Sequence, residues 1–157
     1  KGEVNPSGRL ADTIAYSIYD HPSTQNFGTY KYEGGEYYVE YQEGIYVGYR
    51  YFETFAKDAV LYPFGYGLSY TEFEREILDV KVEGTRVSVK VRVKNIGTFA
   101  GKEVVQLYAS APKGTIDKEY QKLVSECRLK GMSLPSVRGC SFLLPLLMRT
   151  LRRIWIG

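Results

Sequence analysis

Val87-Ser88-Val89-Lys90-Val91-Arg92-Val93-Lys94 alternates apolar and polar residues without a break. A period of two puts the four valines on one face of an extended chain and the Ser, Lys and Arg side chains on the other, the pattern of a half-buried antiparallel strand. Valine strengthens the reading, because its branched Cβ fits a pleated surface better than a helix. Asn95-Ile96-Gly97 predicts a turn, Glu103–Ala109 the next strand, and Ala111-Pro112-Lys113-Gly114 a further turn. Strand, turn and strand at this spacing predict the start of a β-sandwich, an architecture that occupies about 100 residues.

Upstream, Leu61-Tyr62-Pro63-Phe64-Gly65-Tyr66-Gly67-Leu68-Ser69-Tyr70 carries one Pro and two Gly in ten residues. That excludes a regular element and predicts an ordered aromatic loop. Tyr37–Phe55 holds Tyr37, Tyr38, Tyr41, Tyr46, Tyr49 and Tyr51, and its aromatic content predicts strands, with Gly44 and Gly48 at a turn and a close backbone approach. Residues 21–36 predict a polar loop, Leu10–Ile18 a short extended segment, and Asn5-Pro6-Ser7-Gly8 a turn.

Downstream, the alphabet changes near residue 125. All 15 tyrosines lie at or before Tyr120, whereas Cys127, Cys140, Met132, Met148 and Trp155 all follow it. Residues 1–126 carry 15 basic and 18 acidic side chains; residues 127–157 carry six basic and none acidic. The overall charge of +3 therefore averages an acidic body and a basic tail and argues for no nucleic-acid partner. A chain 44% apolar and 25% charged is globular in composition. The longest apolar run, Phe142–Met148, contains Pro145 and falls short of the ~20 residues a membrane span requires, so no membrane partner is expected. Two cysteines confined to the tail predict no disulfide framework and leave the compartment, cytoplasmic or secreted, open.

Several side chains invite a chemical role. Glu36, Glu40, Glu43 and Glu53 suggest the carboxylate pair of a glycosidase, but such a pair must flank the scissile bond about 5 Å apart, and sequence spacing cannot show that. They are read as solvated charges. His21, the only histidine, has no second His or Cys beside it and is read as loop chemistry, so no metal and no cofactor are expected. Arg149, Arg152, Arg153 and Trp155 imitate a basic surface patch, and Gly65-Tyr66-Gly67 lacks the Lys-Ser/Thr of a phosphate loop. Arg9, beside the Pro-Ser-Gly turn, is read as scaffold, its guanidinium suited to several carbonyls or a carboxylate at once. The tyrosines are read as sheet or interdomain packing, with a wall of a sugar cleft as the alternative.

Three blocks of the chain resemble the C-terminal half of glycoside hydrolase family 3, the β-glucosidase and β-xylosidase family. Gly2–Leu10 is similar to the segment near the end of that family's α/β-sandwich domain. Glu43–Phe52 followed by Tyr62–Thr71 is similar to the pair that closes it, and Asn95-Ile96-Gly97, Gly101–Tyr108 and Pro112 are similar to the fibronectin type III-like domain behind it. Ala11 stands where the family commonly has Pro. The resemblance implies a mixed α/β and β fold: residues 1–76 the end of the α/β-sandwich domain, 77–125 the start of an incomplete fibronectin III-like (immunoglobulin-like) β-sandwich, and 126–157 a tail outside the family pattern. It further implies a retaining exo-β-glycosidase acting on β-glucosides or β-xylosides. The family's aspartate nucleophile lies on a TIM-type barrel and its acid/base upstream of the Asn5–Leu10 block. No residue of this chain inherits either role, no substrate contact is assigned, and the missing barrel is the expected partner. A fragment inactive alone is therefore expected, the alternative being a non-catalytic carbohydrate-binding or protein-interaction β module.

The tail admits a simple origin. Back-translating Met148–Ile156 and reading one base earlier permits YEDFASYMD, similar to the Asp-Leu-Ala-Ser-Tyr block that ends the family's sandwich, and extension back to Cys140 permits VLFSIAVT. A shift of frame is thus the expectation for residues 126–157.

Overall fold

The computed structural model describes residues 3–25, 27–28, 30–112, 114–133, 136–145 and 153–156. Its larger part is two three-stranded antiparallel sheets. One holds β5 (Phe73–Glu83), β6 (Arg86–Asn95) and β9 (Val137–Pro145) in the order β5-β6-β9; the other holds β7 (Gly101–Ser110), β8 (Lys122–Met132) and β10 (Arg153–Ile156) in the order β10-β7-β8. The two sheets share one core. Val87, Val89, Val91 and Val93 of β6 are buried against Val105 and Leu107 of β7, Leu129 and Met132 of β8, and Cys140 and Phe142 of β9. The period-two pattern of β6 thus works as expected, and each valine removed from water contributes about 1.5–3 kcal/mol before chain entropy is counted. Gly84, at φ 58°, supplies the positive-φ residue of the Gly84-Thr85 connection that pairs Glu83 with Arg86.

The expected turn at Asn95-Ile96-Gly97 and the strand over Glu103–Ala109 are both present, the strand one to two residues longer at each end. Strand structure does not stop at residue 125. β8 runs through it, and β9 pairs with β6 in a register that sets Val91 opposite Cys140 and Val89 opposite Phe142. In β9, Cys140 and Phe142 point inward with Ser141 exposed between them, which is enough period-two character to seal the open edge of β6. Arg149 and Arg152 lie outside the described residues.

The absence of a disulfide expected from sequence is corrected by the structure. Cys127 on β8 and Cys140 on β9 are bonded, their Cα atoms 6.4 Å apart, so the bridge ties one sheet to the other. They lie thirteen positions apart in sequence, so only folding could show that the strands bring them together. A loop of this length implies about 3 kcal/mol of stabilisation. Reduction with a dithiol should therefore lower the urea midpoint of the protein, and Cys127→Ala/Cys140→Ala should show the lower midpoint with or without reductant; equal midpoints would count against the bridge.

The N-terminal part forms a layer against the second sheet. It contains β1 (Ile14–Ala15) paired with β4 (Val60–Tyr62), the short hairpin of β2 (Tyr30–Lys31) and β3 (Tyr37–Tyr38), and α1 (Tyr49–Phe55). The strand expectation for Tyr37–Phe55 holds only at Tyr37–Tyr38; Tyr49–Phe55 is helical. Ring contacts decide this. In a helix Tyr49, Phe52 and Glu53 share one face, and Phe52 is fully buried, with His21 edge-on at 4.9 Å and Tyr51 at 5.3 Å. A helix of seven residues is marginal alone and stands on those contacts.

Candidate functional site

Asn5 begins a seam between this layer and the sandwich. Its Nδ2 donates to the Ala100 carbonyl at 2.9 Å, and its Oδ1 accepts from the Tyr70 amide at 2.9 Å and the Ser69 hydroxyl at 3.1 Å. Four residues on, Arg9 reaches β7. One guanidinium nitrogen donates to the Gly67 carbonyl at 3.0 Å, and another lies 2.9 Å from each carboxylate oxygen of Glu103. The next residue is zipped to the aromatic loop by Leu10 N–H to Tyr66 O at 2.8 Å and Gly65 N–H to Leu10 O at 2.9 Å. The scaffold role read for Arg9 is therefore what the structure shows, carbonyl and carboxylate both.

Two glycines permit that closeness. Gly65 has φ 83°, and a Cβ there would run into the Gln106 amide. At Gly67 a Cβ would meet the Gly8 carbonyl and the Arg9 side chain, so the loop can lie on the seam only without a side chain.

Further along, α1 docks on the same sheet. The Leu123 amide donates to the Tyr49 hydroxyl at 2.9 Å and the Tyr120 amide to Thr54 Oγ1 at 3.0 Å. The Tyr49 ring packs on Phe64 at 5.1 Å and edge-on to Tyr108 at 5.8 Å. Between α1, the loop and β7 lies a cleft of about 360 Å³. Its walls combine rings from Tyr49, Phe52, Phe64 and Tyr108 with polar groups from Thr13, Gln106 and Gln121.

The carboxylates of this cleft are committed. Glu103 is 3% exposed; Arg9 occupies both of its oxygens, and Oε1 also accepts from the Val104 amide at 3.0 Å. Glu53 lies one helical turn from Lys57 and pairs with it at 3.3 Å. Glu36, Glu40 and Glu43 do not line the cleft, so of the four glutamates noted from sequence it holds Glu53 alone. Among the described residues no group of three His, Cys, Asp or Glu side chains could hold a metal ion. His21 caps a short 3-10 turn and packs on Phe52, in keeping with loop chemistry. Tyr37 and Tyr41 are 70% and 90% exposed, whereas Tyr49, Tyr66 and Tyr108 line the cleft.

Sequence reading passed over Glu103, Gln106, Thr13 and Gln121. Glu103 carried a signal: it shares the period-two parity of Val105 and Leu107, and a carboxylate on an apolar face requires a buried partner. Gln106 and Tyr108 fall on the opposite face, which reads as solvent until the N-terminal layer covers it. There the Tyr108 hydroxyl donates to Gln106 Oε1 at 2.9 Å.

Burial, with lesser contributions from Tyr49 and Glu53, pushes the Tyr108 phenol from 10.0 to about 12. The half-buried Tyr46 is raised to about 12 as well, chiefly by its hydrogen bond to Asp117. Folding thus favours the protonated phenol. The Tyr108 contribution is complete below about pH 10 and is lost as pH climbs through about 12. Tyr108→Phe should flatten the fall in stability over that window; a fall as steep as in the parent would remove Tyr108 from it.

No family model matches the chain. A β-glucosidase of Ruminococcus albus is 51% identical over 121 residues, which cover 74% of this chain and 12% of that enzyme. A solved β-glucosidase of Paenibacillus barengoltzii superposes with a TM-score of 0.83 at 47% identity, covering 92% of this chain and 16% of that one. The GH3 β-glucosidase of Bifidobacterium adolescentis superposes with a TM-score of 0.79 at 28% identity, covering 99% and 26%. This chain therefore spans about an eighth to a quarter of the length of these relatives. The mostly β architecture with one α-helix among the described residues, the shared sequence and the superposition together place the chain in glycoside hydrolase family 3, as a counterpart of the C-terminal region of its β-glucosidases.

Proposed function

We propose that the chain is the C-terminal portion of a retaining exo-β-glycosidase that hydrolyses β-glucosides or β-xylosides. In it, residues 1–76 end an α/β-sandwich domain and residues 77–125 begin a fibronectin III-like sandwich. The names of the relatives support the substrate class, and the two sheets around one core support the sandwich. The chain's own part is to brace one domain against the other. Retaining hydrolysis needs a nucleophilic carboxylate and a second carboxyl as acid/base. The observation that carries the bracing role is Glu103: buried, with both oxygens held by Arg9, it can neither attack a sugar carbon nor exchange a proton with a leaving group. The catalytic carboxyls then come from the barrel and the upstream part of the enzyme.

The test is turnover of an aryl β-glucoside. The purified chain should release no aglycone above the uncatalysed rate; turnover by the clean chain would overturn the proposal. A second reading, a carbohydrate-binding module, draws on exposed tyrosines such as Tyr37 and Tyr41. Sugar affinity lost on Tyr37→Ala/Tyr41→Ala would favour it. For residues 126–157 we keep the shifted frame as the proposed origin of the sequence. Nucleotide sequencing through these codons decides it, an unshifted frame in independent clones being the contrary result.

A further inference from the structure

The cleft between α1, the Leu61–Tyr70 loop and β7 carries a cation that the brace does not use. Arg75 of β5 stands opposite Val93 in the ladder, so it shares the inward parity of Phe73 and Ile77, which pack on the core. At this open edge of the sandwich the exposed Arg75 side chain lines the cleft. Among the described residues it makes no hydrogen bond or ion pair. Its sequence neighbours point to the other face, where Glu74 stands opposite Lys94 and Glu76 pairs with Arg92. The carboxylates of the cleft are taken as well, Glu103 by Arg9 and Glu53 by Lys57. One positive charge at the wall is left without a counterion.

The same cleft offers further donors and an apolar side. Gln106 gives its Oε1 to the Tyr108 hydroxyl, while its Nε2 and the side-chain amide of Gln121 have no partner among the described residues. Half-buried Phe64 and the more open Tyr66 add aromatic surface. A forked guanidinium receives a carboxylate through two parallel hydrogen bonds. One uncompensated cation balances one negative charge, whereas a phosphate dianion would bring a second one near the Glu53 and Glu103 carboxylates. A cleft of about 360 Å³ lies at the lower end of small-ligand sites, roughly 300–1,000 Å³, and so suits a guest of about one ring. We infer that it binds a small aromatic monocarboxylate, with the carboxylate held by Arg75, the ring on the Phe64 and Tyr66 side, and the Gln106 and Gln121 amides as further donors. The lining alone carries this, independently of the glycosidase reading.

Sodium benzoate and benzamide, alike in shape and different in charge, are the probes, titrated calorimetrically into the whole chain at about 20 mM salt to limit screening. A saturable benzoate isotherm is expected, with benzamide bound about tenfold or more weakly, the loss of a charge-assisted contact. Arg75→Gln should bring benzoate down to the benzamide level. Because Arg75 is exposed and unpartnered, the thermal midpoint of this variant should stay near that of the parent, which also reports that it folds. The comparison of the two probes needs no variant and decides the matter if Arg75→Gln does not fold. No saturable heat up to about 50 mM benzoate would overturn the inference. So would equal affinity for the two probes, or unchanged benzoate affinity in folded Arg75→Gln. Inorganic phosphate bound more tightly than benzoate would overturn the monocarboxylate assignment.

Discussion

Asn95→Asp should destabilise the protein more than Asn95→Ala, although aspartate is the closer match in shape. Asn95 ends β6, is 1% exposed, and uses both halves of its amide. Its Oδ1 accepts from the Thr71 hydroxyl at 2.7 Å and the Gly97 amide at 3.1 Å; its Nδ2 donates to the carbonyls of Phe99 at 2.8 Å and Met132 at 3.0 Å. One side chain thereby fixes the β6–β7 turn, the start of β5 and the end of β8. Alanine removes four hydrogen bonds at about 1 kcal/mol each, or about 4 kcal/mol, and leaves their partners without it. Aspartate retains the two accepting contacts but turns an oxygen toward two carbonyl oxygens, in a site where a carboxylate loses hydration. Its deficit should shrink on acidification, since a protonated carboxyl can donate to one of them. Urea denaturation of the three proteins between about pH 4 and pH 7 checks this. Asp at least as stable as Ala at neutral pH would overturn this ordering, and Asp as stable as the Asn95 parent would mean that the Nδ2 contacts do not matter.

Arg9→Ala should cost about 3–5 kcal/mol, the range for removing one partner of a buried pair. The pair is only partly shielded, with the Arg9 side chain 20% and the Glu103 side chain 4% exposed, so most of the cost is Glu103 left charged without its cation. Lysine in place of arginine should recover part of it, keeping the charge but losing the fork that holds two oxygens and the Gly67 carbonyl together. Arg9→Met/Glu103→Leu should recover most of it, because an apolar pair of similar volume needs no compensation. Chemical denaturation in a double-mutant cycle gives the coupling directly. A single Arg9→Ala variant within about 0.5 kcal/mol of the parent would show that the seam holds without the pair.

Much of the sandwich was legible because its signal is local. Val87–Val93 alternates and Asn95–Gly97 punctuates, so backbone geometry and side-chain parity speak together. The Arg9 scaffold role was legible from the same kind of evidence, a forked cation beside a turn. The helix at Tyr49–Phe55 was not. Tyrosine and phenylalanine favour strands weakly, and that preference yields where rings can be buried, as Phe52 is between His21 and Tyr51. The sharp change of composition at residue 125 suggested an end to the sandwich. Composition, however, does not control pairing, and inward-facing Cys140 and Phe142 suffice to carry β9 along β6.

By itself the sequence determined the periodicity of β6, the turn and strand that follow it and the family to which the chain belongs, because each is written in residues close together along the chain. Only the tertiary structure decided which distant residues meet. It set Glu103 against Arg9 across 94 positions, Cys127 against Cys140 across two sheets, and Thr13 at the wall of a cleft roofed by α1. Those contacts depend on how the N-terminal layer lies on β7, and that is fixed by burial and pairing summed over the whole molecule, which no local pattern encodes.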